Sequence, residues 1–320
     1  MTEEGAVGAV RSLIARAWYR TLEEYPTDDQ ENFFDAGGNS VLLVQIQREL
    51  TEALGVKIPL RGIHLAPSVE GLLKTISELA PSPSRPTSGQ IDLYCLPYAG
   101  CSARMFDAWR NLLPGPMNLV PLELPGRGSR GAERAINNLP DLLQDLSRIL
   151  GDRDGEFAIF GHCFGALVAN ELIRFRQSQG LSQPRHLIVS ASPAPHLATP
   201  EEQTHDLPFD ELRERLRLQG ATPTELLEND ELMELYAPTL RADYTIYDHY
   251  RFVGDGRLEC PVLALYGEDD TTANRAGMEP WRDYTTGPFA IELVAGGHFF
   301  VQTAEETVVE KICRQLGVSR

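Results

Sequence analysis

The stretch EFAIFGHCFGALVANELIRF, residues 156–175, decides the fold of most of this chain. An apolar run ends in the G-x-C-x-G of residues 161–165, and apolar residues at helical spacing follow it. A strand that turns sharply into a helix is typical of a nucleophile elbow, in which the turn pushes one side chain out of the sheet. Here that side chain is Cys163, and a helix N-terminus beside a cysteine favours the reactive thiolate.

Other apolar runs extend this pattern into a sheet. Six short β-rich runs follow residue 90, mostly with helical patterns between them, and they begin at residues 91, 118, 156, 186, 261 and 289. Alternation of strands and helices predicts a parallel α/β sheet. The interval of about 196–250 contains helical patterns without a strand, so we predict that it forms a lid over the carboxyl edge of the sheet.

Two later segments complete a catalytic arrangement around Cys163. In nucleophile-elbow proteins, an acid and then a histidine follow the nucleophile along the chain. His298 lies in AGGHFF after the sixth run, and GEDD after the fifth run supplies Asp269 and Asp270. We favour Asp270, three residues after Gly267, as the acid that orients the imidazole, and Asp269 remains the alternative.

The chain before residue 81 is built differently. Its apolar residues recur at helical spacing and predict a small all-α bundle over residues 1–80. Residues 81–90, PSPSRPTSGQ, contain no large apolar side chain and predict a flexible linker. We therefore predict a second domain over residues 91–320, and a length of 320 residues suits two domains.

Composition excludes several classes of function. The 46 acidic residues exceed the 29 lysines and arginines, giving a net charge of −17, so nucleic acid is an unfavourable partner. The sequence contains neither a membrane-spanning apolar run nor an apolar leader, and we expect a cytoplasmic protein with no membrane partner. The five cysteines and seven histidines are scattered, which predicts neither a disulfide framework nor a metal site.

A serine in the helical domain has two interpretations. In ENFFDAGGNSVLLVQIQREL, residues 31–50, Asn39 or Ser40 could simply be the N-cap of the helix that follows. However, FFDAGGNS followed by LLVQIQREL, in a bundle with 12 acidic and 7 basic residues, resembles the carrier proteins of non-ribosomal peptide synthetases.

The carrier resemblance implies a cofactor and partners. In that family the serine of D-x-G-G-x-S accepts 4′-phosphopantetheine, and Ser40 matches this position. A helix N-terminus also favours the phosphodiester. The resemblance implies a phosphopantetheinyl transferase and upstream synthetase domains as partners, with an acyl or peptidyl substrate tethered to the carrier.

Residues 91–316 resemble the type II thioesterases of peptide and polyketide synthesis. The resemblance rests on LPYAGCSARMFDAW, ELPGRGSR, FGHCFGA, LRADYTIYDHYRF, GEDD and GGHFF. It implies an α/β-hydrolase fold with a helical lid, which discharges acyl groups from carrier thioesters. By the same resemblance, the oxyanion hole uses the backbone N–H groups of Phe164 and Ala99.

Several features depart from that family. Cys163 replaces the usual serine, Cys101 replaces the second glycine of an A-G-G turn, and a carrier precedes the thioesterase on one chain. Cys101 is either a packing residue or a second thiol beside the oxyanion hole. The GRGSRG of residues 126–131 matches G-x-G-x-x-G but lacks the rest of a dinucleotide fingerprint.

The sequence thus predicts an α/β-hydrolase domain with a helical lid insertion, preceded by a small helical-bundle carrier. We expect it to hold an acyl or peptidyl thioester and to release the chain through an acyl-enzyme on Cys163. The cysteine favours lactam or lactone cyclisation, or amine capture, in non-ribosomal peptide and antibiotic biosynthesis. The alternatives are an editing hydrolase that clears stalled acyl groups and a non-catalytic scaffold that binds the carrier.

Overall fold

The chain divides into two compact units, residues 1–85 and 86–320. The predicted linker, apart from Gln90, lies outside the described residues, and the exact domain limits stay a prediction.

None of the described helices combines the length and apolar character needed to cross a bilayer. The computed structural model describes residues 3–54, 58, 63, 67–79, 90–152, 156–197, 203–220, 222, 227–254 and 256–318.

The first unit is the predicted helical bundle. Its described helices are α1 (Glu3–Leu22), α2 (Ser40–Leu54) and α3 (Val69–Leu79). Their apolar faces enclose a core that includes Ile14, Trp18, Phe33, Leu43, Ile46, Leu50 and Leu72. A Cβ added at Gly38 would lie 2.3 Å from the Phe33 ring, so the chain entering α2 requires glycine there.

The second unit contains a six-stranded parallel sheet, which confirms the predicted fold class. Its order is β2-β1-β3-β4-β5-β6. The order reverses between β1 and β3, and such a switch point is where open α/β sheets bind ligands. The strands are β1 (Ile91–Leu96), β2 (Met117–Pro121), β3 (Phe157–His162), β4 (His186–Ser190), β5 (Val262–Gly267) and β6 (Phe289–Val294).

Helices connect and cover the strands. The longer ones are α4 (Leu139–Leu150), α5 (Phe164–Ser178), α6 (Phe209–Gln219), α7 (Asp230–His249) and α8 (Glu305–Gln315). Shorter helical segments are Ala103–Asn111, Gly128–Arg130, Pro195–Leu197, Arg275–Met278, Glu279–Tyr284 and Phe300–Thr303.

The insertion between β4 and β5 is helical, and its described part contains no strand. Helices α6 and α7 share a small apolar core of their own, formed by Leu212, Leu216, Leu227, Met233, Ala237 and Leu240. That core holds the two helices together as one layer. Its function as a lid stays a prediction.

The turn from β3 into α5 is tightly constrained. Cys163 has φ 53° and ψ −116°, a conformation that L-residues rarely adopt. A Cβ on Gly161 would lie 2.2 Å from the Gly165 carbonyl oxygen, and a Cβ on Gly165 would lie 2.3 Å from that of Leu96. Both glycines are therefore needed for the backbone to pass between its neighbours.

We expect Gly161→Ala to lower the free energy of unfolding of the second unit by about 3 kcal/mol, because the added methyl group meets backbone that cannot move aside. Gly115→Ala is the matched control, since nothing lies within 4 Å of a Cβ at that position. It should change stability by less than about 0.5 kcal/mol. The urea midpoint of the second unit measures both changes, and equal midpoints for the two variants would contradict the steric argument.

Candidate active site

Cys163 opens onto a cavity of about 520 Å³ at the carboxyl ends of the strands. Its side chain is half-buried, and helix α5 begins at the next residue. Helices α6 and α7 cover part of the cavity. The side chains that α7 contributes to the lining are Tyr236, Leu240, Tyr244 and Tyr247, and α6 contributes Arg215, Leu216, Leu218 and Gln219.

His298 and Asp270 meet beside this cavity. His298 Nδ1 lies 2.8 Å from Asp270 Oδ2, and Asp270 is buried. The second carboxylate oxygen, Oδ1, accepts hydrogen bonds from the backbone N–H groups of Thr272 (2.8 Å) and Ala273 (3.0 Å). Burial by itself raises the pKa of Asp270, but the hydrogen bond and charge of His298, with hydrogen bonds from the Ala273 N–H and the Thr272 hydroxyl, lower it well below its usual range. Asp270 is therefore an anchored carboxylate at neutral pH.

The imidazole of His298 connects Asp270 to Cys163. Burial by itself lowers the pKa of His298, whereas the negative charge of the Cys163 thiolate and hydrogen bonds with Asp270 and Cys163 raise it, to about 10. The ring is therefore protonated at neutral pH when the sulfur is charged. An imidazole placed in this way can activate a cysteine nucleophile, and that function of Cys163 stays a prediction.

The two acids that the sequence left open occupy different places. Asp270 makes the hydrogen bond to His298, whereas Asp269 is exposed and contributes to the cavity lining. The backbone N–H of Asp269 donates to the Gly296 carbonyl, at 3.0 Å, which ties the loop after β5 to the loop that carries His298. The geometry favours Asp270 for the orienting function, and that function stays a prediction.

The two residues predicted to supply oxyanion donors lie on either side of the switch point. Phe164 is the first residue of α5, and Ala99 follows β1 in the loop at 97–102. Both line the same cavity as Cys163. The structure therefore brings all five predicted catalytic positions of the second unit to one place, while their chemical roles stay predictions.

A second histidine lies against the first but in a different state. His162 is fully buried, and its Nδ1 lies 2.9 Å from Ser190 Oγ. Burial, and then the positive charge of His298, hold the pKa of His162 well below its usual value. The ring centroids of His162 and His298 lie 5.7 Å apart, so His162 packs as a neutral ring against the ring of His298.

Cys101 lies in the loop after β1 and is half-buried. Its Sγ contacts the Ser102 carbonyl oxygen at 3.6 Å, and burial raises the pKa of its thiol. A thiol held in its neutral form is a weak nucleophile. The surroundings of Cys101 therefore favour the packing interpretation over a second reactive thiol.

In the first unit, the start of α2 distinguishes Asn39 from Ser40. Asn39 caps the helix, because its Oδ1 accepts the N–H of Leu42 at 3.0 Å and its backbone carbonyl accepts the N–H of Leu43 at 2.9 Å. Ser40 is then the first helical residue, and no acidic side chain lies in the first turn. This end of α2 fits a covalently attached phosphodiester, since a helix N-terminus favours an anion.

The sequence patterns did not predict that two arginines of the GRGSRG loop would stabilise the surroundings of the site. Arg127 of the GRGSRG loop forms a buried, bidentate ion pair with Asp243 of α7, at 2.5 and 2.7 Å. Arg130 of the same loop pairs with Asp145 and Glu133. The loop therefore uses both arginines in ion pairs with carboxylates of the second unit. One feature of the sequence could have indicated the Arg127–Asp243 pair. Asp243 lies three residues after Leu240, on the apolar face of a helix, where a carboxylate needs a partner.

Comparison with known proteins identifies both units. Residues 91–316 match the thioesterase domain family, and residues 9–76 match the phosphopantetheine attachment site family. Linear gramicidin dehydrogenase LgrE of Brevibacillus parabrevis is 35% identical over 71% of this chain and 88% of its own length.

Two further likenesses bear on the architecture. The type II thioesterase BorB from the borrelidin biosynthetic cluster has a solved structure that is 31% identical, with a TM-score of 0.65, over 72% of this chain and 94% of that chain. The AMB antimetabolite synthetase AmbE of Pseudomonas aeruginosa is 29% identical over 301 residues, which cover 88% of this chain and 14% of AmbE. The similarity to AmbE therefore extends over both units and covers a small part of that relative's length.

We predict that Asp270→Asn lowers the pKa of His298 below its value of about 10, because the ring loses a carboxylate partner. Asp269→Asn is the matched control and should lower that pKa much less, since Asp269 is exposed and the hydrogen bond to His298 comes from Asp270. Titration of the His298 ring protons by NMR measures both values. An equal decrease in the two variants would contradict the assignment of Asp270.

Proposed function

The chain belongs to the thioesterase domain family, and we propose that it holds an acyl or peptidyl chain as a thioester and releases it through an acyl-enzyme on Cys163. The observation that carries the proposal is the hydrogen-bonded pair of His298 and Asp270 beside a cysteine at the switch point of the sheet. The interaction of Cys163 with His298, which contributes to the raised pKa of that ring, supports the same assignment.

The first unit carries a phosphopantetheine attachment domain, so 4′-phosphopantetheine is a covalent cofactor of this chain. We assign its attachment to Ser40. When attached, the group supplies the thiol that presents the acyl chain as a thioester. The helix dipole of α2 and its first-turn N–H groups, with Asn39 as the cap, would stabilise the phosphate charge.

In the first half-reaction, the Cys163 sulfur attacks the thioester carbonyl carbon of the substrate. Negative charge develops on the carbonyl oxygen, and the backbone N–H groups of Phe164 and Ala99 stabilise it. The bond from carbon to the departing sulfur then breaks, and His298 donates its proton to that sulfur. Asp270 keeps the ring oriented and stabilises its charge before the transfer.

In the second half-reaction, a nucleophile attacks the carbonyl carbon of the Cys163 thioester. The nucleophile is an amine or hydroxyl of the acyl chain itself, a separate amine, or water. The neutral ring of His298 removes the proton from the nucleophile, and Cys163 leaves as a thiolate. The thiolate–imidazolium pair is restored, ready for the next substrate.

Cysteine suits ring closure or amine capture better than serine does. Transfer of the acyl group to Cys163 exchanges one thioester for another, so the activation of the bond is retained for the second step. A serine ester would lose part of it. The cover that α6 and α7 place over the cavity supports the proposal, because restricted access lowers the competition from water.

Editing is the second candidate function. The similarity to the type II thioesterase BorB favours a hydrolase that removes stalled acyl groups from carriers. Incubation of the holo chain with an acyl pantetheine thioester that carries an internal amine separates the candidates. A cyclised product supports release by ring closure, free acid supports editing, and no turnover supports a non-catalytic scaffold.

We predict that co-expression with a phosphopantetheinyl transferase adds the phosphopantetheine mass to the wild-type chain but not to Ser40→Ala. Ser68→Ala is the matched control, because Ser68 also precedes a helix of the first unit, where its Oγ accepts the N–H of Gly71. That variant should be modified fully. Intact-mass spectrometry reads out all three, and a modified Ser40→Ala would remove the assignment.

We predict that Cys163→Ser still accepts acyl groups but stalls as the ester or releases free acid, because the ester is less activated. Cys163→Ala should lose turnover by at least about a thousandfold, since no nucleophile remains. Cys101→Ala is the matched cysteine control and should still form the acyl-enzyme. Mass spectrometry of protein and product measures each outcome. If Cys163→Ser yields the wild-type product at the wild-type rate, the retained activation is not the reason for the cysteine.

A further inference from the structure

A buried ion pair ties α7 to the loops at the carboxyl edge of the sheet. Arg127 follows β2, Asp243 lies on α7, and their side chains are only 6% and 2% exposed. The guanidinium donates to both carboxylate oxygens, to Oδ2 at 2.5 Å and to Oδ1 at 2.7 Å. Two charges removed from water in this way must compensate each other closely.

The same carboxylate binds the loop that carries Ala99. The backbone N–H of Gly100 donates to Asp243 Oδ2 at 2.7 Å. Gly100 adopts φ +76°, and a Cβ there would lie 2.3 Å from the hydroxyl oxygen of Tyr236, also on α7. The peptide on one side of Gly100 leads directly to Ala99, so α7 determines the course of the backbone at the proposed oxyanion donor.

A further contact on the same face of α7 strengthens this attachment. Thr239 Oγ1 donates to the Gly126 carbonyl at 3.0 Å. Tyr236, Thr239 and Asp243 are spaced three and four residues apart, so they follow one another along one side of the helix. One helix face therefore contacts both the loop after β1 and the loop after β2.

We propose that Asp243 is a positioning residue for the oxyanion hole. It fixes the backbone N–H of Ala99 through Gly100, and Arg127 compensates its charge. The inference rests on the proposed function, because an oxyanion donor matters only for acyl transfer. A carboxylate is required because three donors converge on it, and a neutral amide offers a single acceptor oxygen. Oxyanion donors act only when they are held in place before the charge develops.

The test compares two buried aspartates of the same helix. Asp248 is as buried as Asp243, but its Oδ2 accepts the backbone N–H of His205, at 2.8 Å, away from the loop with Ala99. Asp243→Asn and Asp248→Asn in the full chain are assayed with an acyl N-acetylcysteamine thioester for kcat and KM. Alkylation of Cys163 by iodoacetamide, located by peptide mass spectrometry, is the second readout, since that reaction forms no oxyanion.

For Asp243→Asn we expect kcat to decrease by about tenfold to a hundredfold, a large part of the effect of removing one oxyanion donor. KM and the alkylation rate of Cys163 should stay within about twofold of wild type. Asp248→Asn should retain the wild-type kcat. An unchanged kcat in Asp243→Asn, or equal decreases in kcat and alkylation, would overturn the inference.

Arg127→Lys tests the same point if Asp243→Asn does not fold. It keeps the positive charge but loses the two-pronged hydrogen bond. We expect a severalfold lower kcat with unchanged alkylation, and an unchanged kcat would overturn the inference. A wild-type chain that does not turn over the thioester would overturn the proposed function and this inference with it, whereas the outcomes above affect the positioning role alone.

Discussion

The backbone turn at Cys163 is the constraint on which the second unit depends. A non-glycine residue at φ 53° is strained by about 1–3 kcal/mol, so it persists only where its surroundings fix it. The Cys163 N–H donates to the Ser190 carbonyl at 2.8 Å, and the absence of a Cβ at Gly161 and Gly165 allows the close approach of the backbone. These contacts join β3, β4 and α5 at the switch point, and the sulfur is presented at the carboxyl edge as a consequence.

The charges of the site follow from that placement. His298 approaches the sulfur from the loop after β6, and Asp270 approaches His298 from the loop after β5. Two histidines with ring centroids only 5.7 Å apart have pKa values shifted in opposite directions, because burial lowers that of His162, whereas interactions with Cys163 and Asp270 raise that of His298. The residues that set the charges of the site therefore lie on the loops after β5 and β6, and the order of the strands determines where those loops meet.

Local patterns explain why much of this was predictable from the sequence. The six strands and the elbow have periodic or turn signatures within 20 residues, and the order of Cys163, Asp270 and His298 follows from the order of the strands. The contact between Arg127 and Asp243 joins residues 116 positions apart, and no local pattern encodes such a pairing. The GRGSRG loop shows the same limit, since its glycines suggest a phosphate loop while its arginines form ion pairs with carboxylates of the second unit.

The attachment of α7 also limits how a substrate can reach the cavity. A movement of α7 away from the sheet would break the bonds of Asp243 to Arg127 and Gly100, and it would disturb the loop with Ala99 during each turnover. Leu218 of α6 lines the cavity and is 78% exposed, and the lining residues Asp269 and Thr271 of the loop after β5 are exposed too, so the cavity borders solvent at both places. Access at either place leaves the contacts of α7 with the loop that carries Ala99 intact. On this arrangement, α7 lines the cavity with three tyrosines and is fixed by its buried ion pair, whereas α6 and the loop after β5 border the exposed side of the cavity.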